Sequence, residues 1–144
     1  MSPLALVHDV ARELHEAGVP SPRVDSELLV AHVLGLTRSG LYSSDRLLSE
    51  RESTRLQELV ARRRAREPLA YVHGEWGFRR LMLNVDVRAL VPRPETEVVV
   101  ERCLVHLAGL AEPRILDVGT GSGAIALALA DEVPGARVVA VDLS

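Results

Sequence analysis

One short segment limits the folds open to this chain: three glycines within five residues, set between an apolar run and an amphipathic run. The segment reads Leu116-Asp-Val-Gly-Thr-Gly-Ser-Gly123, and the run Arg114 to Val118 at its start is predicted to be a strand. A helix is predicted from Ser122 to about Glu132, followed by a second strand from Arg137 to Leu143. The order strand, helix, strand implies two parallel strands joined by a right-handed crossover.

The glycine turn predicts a nucleotide site. Glycines allow the backbone to approach a ligand closely, and the start of the following helix offers free N–H groups. Asp142 ends the second strand roughly 20 residues after the turn, where an acid can accept hydrogen bonds from ribose hydroxyls. The chain contains no lysine and therefore no G-x-x-x-x-G-K-[ST] segment, which excludes a P-loop.

Spacing alone leaves the nucleotide open. Gly119, Gly121 and Ala124 fit the G-x-G-x-x-A pattern of dinucleotide-binding proteins. Gly123, however, comes one step early, and Asp117 places a carboxylate where a pyrophosphate would be repelled but an ammonium group would be tolerated. Asp117 is equally well explained as a residue that caps or supports the turn.

The first 67 residues are predicted to form a small helical bundle. Val7, Val10, Ala11 and Leu14 follow helical spacing, and Gly18 is predicted to end that helix. The run from Val24 to Leu34 is apolar on most sides, which predicts a central, buried helix after an N-cap at Ser21 and a first-turn proline. Ser49 and Glu52 have the spacing of a capping box for a further helix.

Residues 68–92 change to the two-residue period of strands. Trp76 and Phe78 alternate with polar residues or glycine, as do the apolar residues from Leu81 to Val87, which predicts a hairpin with its turn at Arg79-Arg80. Trp76 and Phe78 are assigned to packing rather than to a substrate clamp. Pro94 is predicted to open a helix that runs to about Gly109.

Composition excludes several classes of function. A net charge of −3 argues against broad nucleic-acid binding, and 3% aromatic residues leave little for base stacking. No apolar run is long enough to span a membrane and no leader is recognisable. Cys103, the single cysteine, is assigned to packing and fits a reducing compartment, so we expect a cytoplasmic protein. The five histidines lack metal-binding spacing, so no metal site is predicted.

Three segments together resemble a known family. Asp117-Val-Gly-Thr-Gly-Ser-Gly-Ala looks like motif I of class I S-adenosylmethionine-dependent methyltransferases. Glu67-Pro-Leu-Ala-Tyr-Val-His-Gly-Glu-Trp-Gly-Phe and Val91-Pro-Arg-Pro-Glu-Thr-Glu look like the HemK-type peptide chain release factor glutamine N5-methyltransferases. The stretch that begins Asp25-Ser-Glu-Leu-Leu is similar to the small N-terminal domain of that family. The resemblance covers essentially the whole chain.

The resemblance implies an α/β protein in three parts. These are a helical substrate-recognition domain (1–67), a β-hairpin linker (68–92) and the start of a Rossmann-like methyltransferase domain (93–144). It implies S-adenosylmethionine as cofactor and a release factor as protein substrate. The residues implied to bind the cofactor are Gly119, Thr120, Gly121, Ser122, Gly123 and Asp142, with Leu143 beside the adenine and Arg93 to Glu97 close to the pocket.

The family's Asn-Pro-Pro-Tyr motif does not occur in these 144 residues. In the family it is thought to orient the glutamine amide, so the resemblance implies no catalytic residue here and an inactive fragment of a longer protein. An apolar strand at an open sheet edge would favour self-association. Two alternatives stay open: the start of a nicotinamide-dependent oxidoreductase, favoured by Ala124, and a module in which residues 1–67 dock a release factor without chemistry.

Two further features have competing interpretations. Arg62, Arg63, Arg64 and Arg66 form a basic run at a predicted helix end, explained by solvation and the helix dipole or by docking of an RNA-mimicking partner. His73 is assigned to a loop before Gly74 and to a turn rather than to a catalytic base.

Overall fold

Two units make up the chain in its computed structural model, which describes residues 1–143: Met1–His73 and Gly74–Ser144. The first is helical, whereas the second combines helices with two small sheets. The division falls between His73 and Gly74, so the segment 68–73 lies in the helical unit. The three functional domains with boundaries at 67 and 92 stay a prediction. None of the helices within residues 1–143 is long and apolar enough to cross a membrane.

The first unit packs its helices around one apolar core. Its elements, in chain order, are α1 (Pro3–Glu16), α2 (Pro22–Leu34), a 3-10 turn (Gly40–Tyr42), α3 (Glu50–Arg64) and α4 (Leu69–His73). In α1 the predicted spacing is confirmed, because Val7, Val10 and Leu14 are buried. The helix ends at Glu16, and Gly18 follows with φ +70°.

Helix α2 is central, as predicted, and its N-cap is Ser21 followed by Pro22. Leu29, Val30 and Leu34 are almost fully buried, but so is the carboxylate of Glu27. Helix α3 begins with the predicted capping box: Ser49 Oγ accepts from the Glu52 N–H at 3.3 Å, and Glu52 Oε2 accepts from the Ser49 N–H at 2.9 Å.

The arginine run at the end of α3 is held by partners within its own unit. Arg62 pairs with Glu67, and Arg63 donates from Nε to Asp25 Oδ2 at 2.7 Å. Arg64 lies 3.5 Å from a carboxylate oxygen of Glu13, and Arg66 donates to a backbone carbonyl. Solvation is therefore an incomplete explanation of the run, since ion pairs and backbone contacts fix its side chains.

Helix α4 was missed by periodicity, and the prediction that His73 lies in a loop is wrong. Its five residues begin after Pro68, whose carbonyl accepts from the Tyr71 and Val72 N–H groups. His73 ends the helix, with its ring centroid 4.1 Å from that of His32. A helix this short repeats its apolar spacing only once, so a sequence pattern cannot separate it from a loop.

The second unit contains, in order, β1 (Glu75–Phe78), β2 (Leu81–Asn84), α5 (Pro94–Leu107), β3 (Arg114–Val118), α6 (Ala124–Glu132) and β4 (Arg137–Val141). The hairpin is confirmed: β1 and β2 pair antiparallel with Phe78 opposite Leu81. Arg79 lies in the hairpin turn and has φ +51°. Its guanidinium binds Glu132 of α6, and its backbone N–H donates to Glu97 Oε1 at 2.9 Å.

Strands β3 and β4 pair in parallel, with Leu116 opposite Val139, as the strand–helix–strand order predicts. Helix α6 lies between them in the chain and buries Ala124, Ala128 and Leu129. On the sheet face that carries Leu116 and Val139, both side chains are more than half exposed. Self-association through this sheet stays a prediction.

Three predicted ends in this unit are corrected. Strand β2 stops at Asn84 instead of Val87, because the Asp86 carboxylate accepts the Arg88 N–H at 2.9 Å and turns the chain. Helix α6 begins at Ala124 instead of Ser122, since Gly123 has φ +79° and serves as N-cap. Strand β4 stops at Val141 instead of Leu143.

Candidate nucleotide site

The glycine turn after β3 is fastened to the end of β4. The N–H groups of Gly119 and Thr120 both donate to the carbonyl of Val141, at 2.8 and 3.1 Å. Gly119, Gly121 and Gly123 have φ values of +77°, +54° and +79°. Residues other than glycine rarely adopt positive φ values of this size. The three glycines are therefore needed for the backbone path of the turn as well as for the space beside it.

Asp142 lies directly against this turn. Its Oδ2 accepts the Gly121 N–H at 2.7 Å, and its Oδ1 accepts the Leu143 N–H at 2.8 Å. The length of the helix between the turn and Asp142 predicted that the two lie close together. In the structure they are in contact. Asp142 is therefore held at the turn by hydrogen bonds to the backbone of Gly121 and of Leu143.

The sequence left two roles open for Asp117, and the structure shows it supporting the turn. The Thr120 hydroxyl donates to Asp117 Oδ2 at 2.7 Å. This bond points the Thr120 side chain back towards the end of β3. Thr120 is thus held by its side chain and by its backbone, whose N–H donates to Val141 and whose carbonyl accepts the Gly123 N–H at 2.9 Å.

An open pocket of about 700 Å³ lies beside the turn. Its volume falls in the range of small-molecule sites. Gly121, Ser122 and Asp142 form one wall. The opposite wall consists of residues that sequence reasoning did not identify: Asn84, Asp86, Arg88 and Ala89. Residues Arg93–Glu97 are not among those that line it, although the resemblance placed them close by.

Asp86 and Arg88 form a tight pair in the second wall. The guanidinium donates to Asp86 from Nε at 2.9 and 3.0 Å and from Nη2 at 2.6 Å. The guanidinium and then the Arg88 N–H hold the pKa of Asp86 down to about 2. Asp86 is thus a carboxylate at neutral pH. An acid two residues before an arginine after a strand was the available signal for this turn.

Gly119 lines a smaller neighbouring cavity of about 270 Å³ together with Asp142 and Leu143. Asp142 is common to the two cavities, whereas Thr120 and Gly123 are not among the lining residues of either. Within residues 1–143, no three His, Cys, Asp or Glu side chains are grouped to hold a metal ion. Cys103 is a free, half-buried thiol on α5.

Comparison with known proteins finds relatives whose matches extend over both units of the chain. Residues 5–74 match the family described as the PrmC N-terminal domain. The release factor glutamine methyltransferase of Streptomyces coelicolor is 48% identical over 143 residues, which is 98% of this chain and 50% of that protein. The enzyme of that name from Deinococcus radiodurans is 44% identical over 140 residues, 96% of this chain and 50% of the relative. Over nearly its whole length the chain is similar to the N-terminal half of release factor glutamine methyltransferases, and residues 5–74 match the N-terminal domain family.

This similarity confirms the resemblance found in the sequence motifs. A third relative, from Vibrio cholerae, is 44% identical over 140 residues, covering 96% of this chain and 49% of its own. The chain spans about half the length of the curated relatives it matches. The aligned length includes the glycine turn, so the likeness extends beyond the helical unit that the family description covers.

Proposed function

We propose that the chain is the N-terminal part of an S-adenosylmethionine-dependent methyltransferase whose substrate is a glutamine side-chain amide of a peptide chain release factor. The observation that supports the cofactor site is the 2.7 Å bond between the Gly121 N–H and Asp142, which brings turn and acid to one point. Parallel pairing of β3 and β4 across α6 supports the finer assignment of a Rossmann-like domain.

S-adenosylmethionine fits the residues present at this turn. Asp142 is a carboxylate, the type of acceptor that ribose hydroxyls bind, and Gly119, Gly121 and Gly123 offer backbone surface without side chains. A Cβ at Gly119 or Gly121 would meet no atom within 4 Å, so the space in front of both is open to a ligand. We assign cofactor binding to Gly119, Thr120, Gly121, Ser122, Gly123 and Asp142.

The cofactor supplies an electrophilic methyl group on its sulfonium when bound. The residues of this chain orient it: Asp142 fixes the ribose, and the turn sets the distance between the nucleoside and the end of β3. Orientation of two reactants accounts for large rate effects in reactions of this kind. No residue of this chain is assigned an acid, base or nucleophile role.

The nicotinamide alternative is disfavoured by charge and by glycine spacing. Asp117 places a carboxylate directly before the turn, where a pyrophosphate would be repelled, and Gly123 comes one step early for the dinucleotide pattern. Docking of a release factor by residues 1–67 without chemistry stays open, since the match of residues 5–74 to the PrmC N-terminal domain family does not distinguish docking from substrate recognition by an enzyme. Binding of a release factor to residues 1–67 alone, without cofactor, would support this alternative.

We expect the chain to bind S-adenosylmethionine in preference to NAD. In a titration followed by two-dimensional amide NMR, S-adenosylmethionine should shift the signals of Gly119, Gly121 and Gly123. NAD at equal concentration should leave them in place, because the carboxylate of Asp117 before the turn disfavours a pyrophosphate. Shifts of the three glycines by NAD, with none by S-adenosylmethionine, would reverse the assignment.

The 144 residues are expected to transfer no methyl group. They contain no Asn-Pro-Pro-Tyr segment, to which the family's orientation of the substrate amide is attributed. Incorporation of labelled methyl into a release factor should equal the blank without protein, while the full-length Streptomyces coelicolor relative serves as positive control. Incorporation clearly above the blank would show that the amide is oriented without that motif.

A further inference from the structure

We propose that Arg88 recognises the α-carboxylate of S-adenosylmethionine, and that the loop after β2 is therefore a second wall of the cofactor site. This assignment rests on the proposed function of the glycine turn. The resemblance placed the cofactor contacts on the turn, Asp142 and Leu143, with Arg93 to Glu97 close to the pocket, and none on the loop directly after β2. The pocket instead has a second side, built from the segment between β2 and α5.

The charges of the pocket match those of the ligand. Among the described residues that line it, Asp86 and Asp142 are acidic, and Arg88 is the one cation. S-adenosylmethionine carries a sulfonium, an ammonium and a carboxylate. Its positive groups are compatible with a pocket that carries two carboxylates, and its carboxylate has one partner of opposite sign, the guanidinium of Arg88.

The guanidinium is held in place with donors to spare. Asp86 accepts from Nε and Nη2, and it also accepts the Arg88 N–H, so the side chain is folded back over its own loop. A guanidinium has five N–H donors in a rigid fork, so the bonds to Asp86 leave others for a carboxylate. The Arg88 side chain is 87% exposed, and a ligand can reach it without any rearrangement of the core.

The pair also has a purely local explanation, in which Asp86 and Arg88 only close a turn. That explanation predicts no dependence of ligand affinity on the ligand's carboxylate. The two explanations are separated by comparing S-adenosylmethionine with its decarboxylated form, which keeps the sulfonium, the ammonium and the nucleoside.

The experiment measures the affinity of the 144-residue chain for both compounds by amide NMR titration. The unmodified chain should bind S-adenosylmethionine about fivefold more tightly than the decarboxylated form, as expected for one exposed charge pair. In Arg88→Gln this preference should disappear while the affinity for the decarboxylated form is unchanged. Arg88→Lys should restore part of the preference, because it keeps the charge but loses the fork.

Arg137→Gln is the matched control, because Arg137 is another exposed arginine of the same unit and does not line the pocket. It should leave both affinities unchanged. If the unmodified chain binds the two compounds equally, or if Arg88→Gln weakens both to the same extent, the role of Arg88 is refuted and the proposed function stands. If neither compound binds, the proposed function fails, and the role of Arg88 with it.

Discussion

Replacing Glu27 by glutamine is expected to lower the free energy of unfolding of the helical unit by about 2 kcal/mol at pH 7. The Glu27 side chain is 5% exposed and accepts hydrogen bonds from three groups. Arg38 donates to Oε2 at 3.1 and 2.5 Å, the Tyr42 hydroxyl to Oε1 at 2.7 Å and Arg23 to Oε1 at 2.8 Å. Glutamine keeps the shape but loses the charge that attracts both arginines. Because those arginines are half exposed, the cost is smaller than for a fully buried ion pair.

The same substitution should alter the dependence of stability on pH. Hydrogen bonds from Arg38 and then Tyr42 lower the pKa of Glu27 from its ordinary value of 4.5 to about 2. A carboxylate with a lowered pKa in the folded state stabilises the fold fully above 4.5, and this contribution is lost as the pH falls towards 2. The difference between the unmodified chain and Glu27→Gln should therefore shrink to less than half between pH 7 and pH 3.

Urea unfolding followed by the methyl NMR signals of Leu29 and Val30 measures both effects within the helical unit. The control is Glu58→Gln, since the Glu58 side chain is 58% exposed and pairs with Arg55 on the surface of α3. It should change the free energy of unfolding by less than about 0.5 kcal/mol. An equal loss for Glu27→Gln at both pH values would mean that packing, and not the charge, supplies the stability.

The largest effect on ligand binding is expected for Asp142. In Asp142→Asn the affinity for S-adenosylmethionine should fall at least about tenfold, because hydrogen bonds to a charged acceptor are stronger than those to a neutral one. The asparagine oxygen can still accept the Gly121 N–H, so the turn itself should persist. Amide NMR of the ligand-free variant checks this, because the signals of Gly119 and Gly123 should stay close to their original positions.

Two further variants separate ribose binding from support of the turn. Asp142→Ala removes the acceptor for Gly121 as well and should weaken binding beyond the asparagine variant. Asp131→Asn is the matched control: Asp131 is an exposed acid on α6 outside the pocket lining, and its replacement should leave the affinity unchanged. Unaltered affinity in Asp142→Asn would remove the acid from the proposed site.

Much of the secondary structure could be predicted because local rules decide it. Helix α3 starts at Ser49 through a capping box that involves residues three positions apart. Strand β3 has the bounds that its apolar pattern predicted. The predicted bounds were wrong where one side chain redirects the backbone at the end of an element, as Asp86 does after β2 by accepting the Arg88 N–H. An apolar pattern carries no information on such a hydrogen bond.

The candidate site likewise has one part that the sequence predicted and one part that it did not. The turn and Asp142 could be named from the sequence, since glycine spacing and the length of one strand–helix–strand unit bring them to the same sheet edge. The opposite wall could not, because Asp86 and Arg88 precede the turn by a whole helix and a strand. No local rule states which distant loop lies beside a given turn.

The sequence by itself determined the order of the helices and strands other than α4, the parallel strand pair, the glycine turn with its acid and the resemblance to a family. Each depends on spacing within a short stretch of chain or on motifs that relatives share. Only the tertiary structure decided that Glu27 is buried among two arginines and Tyr42, and that Arg88 lies beside Asp142 in one pocket. Those contacts depend on how packed elements bring distant residues together, which apolar periodicity does not specify.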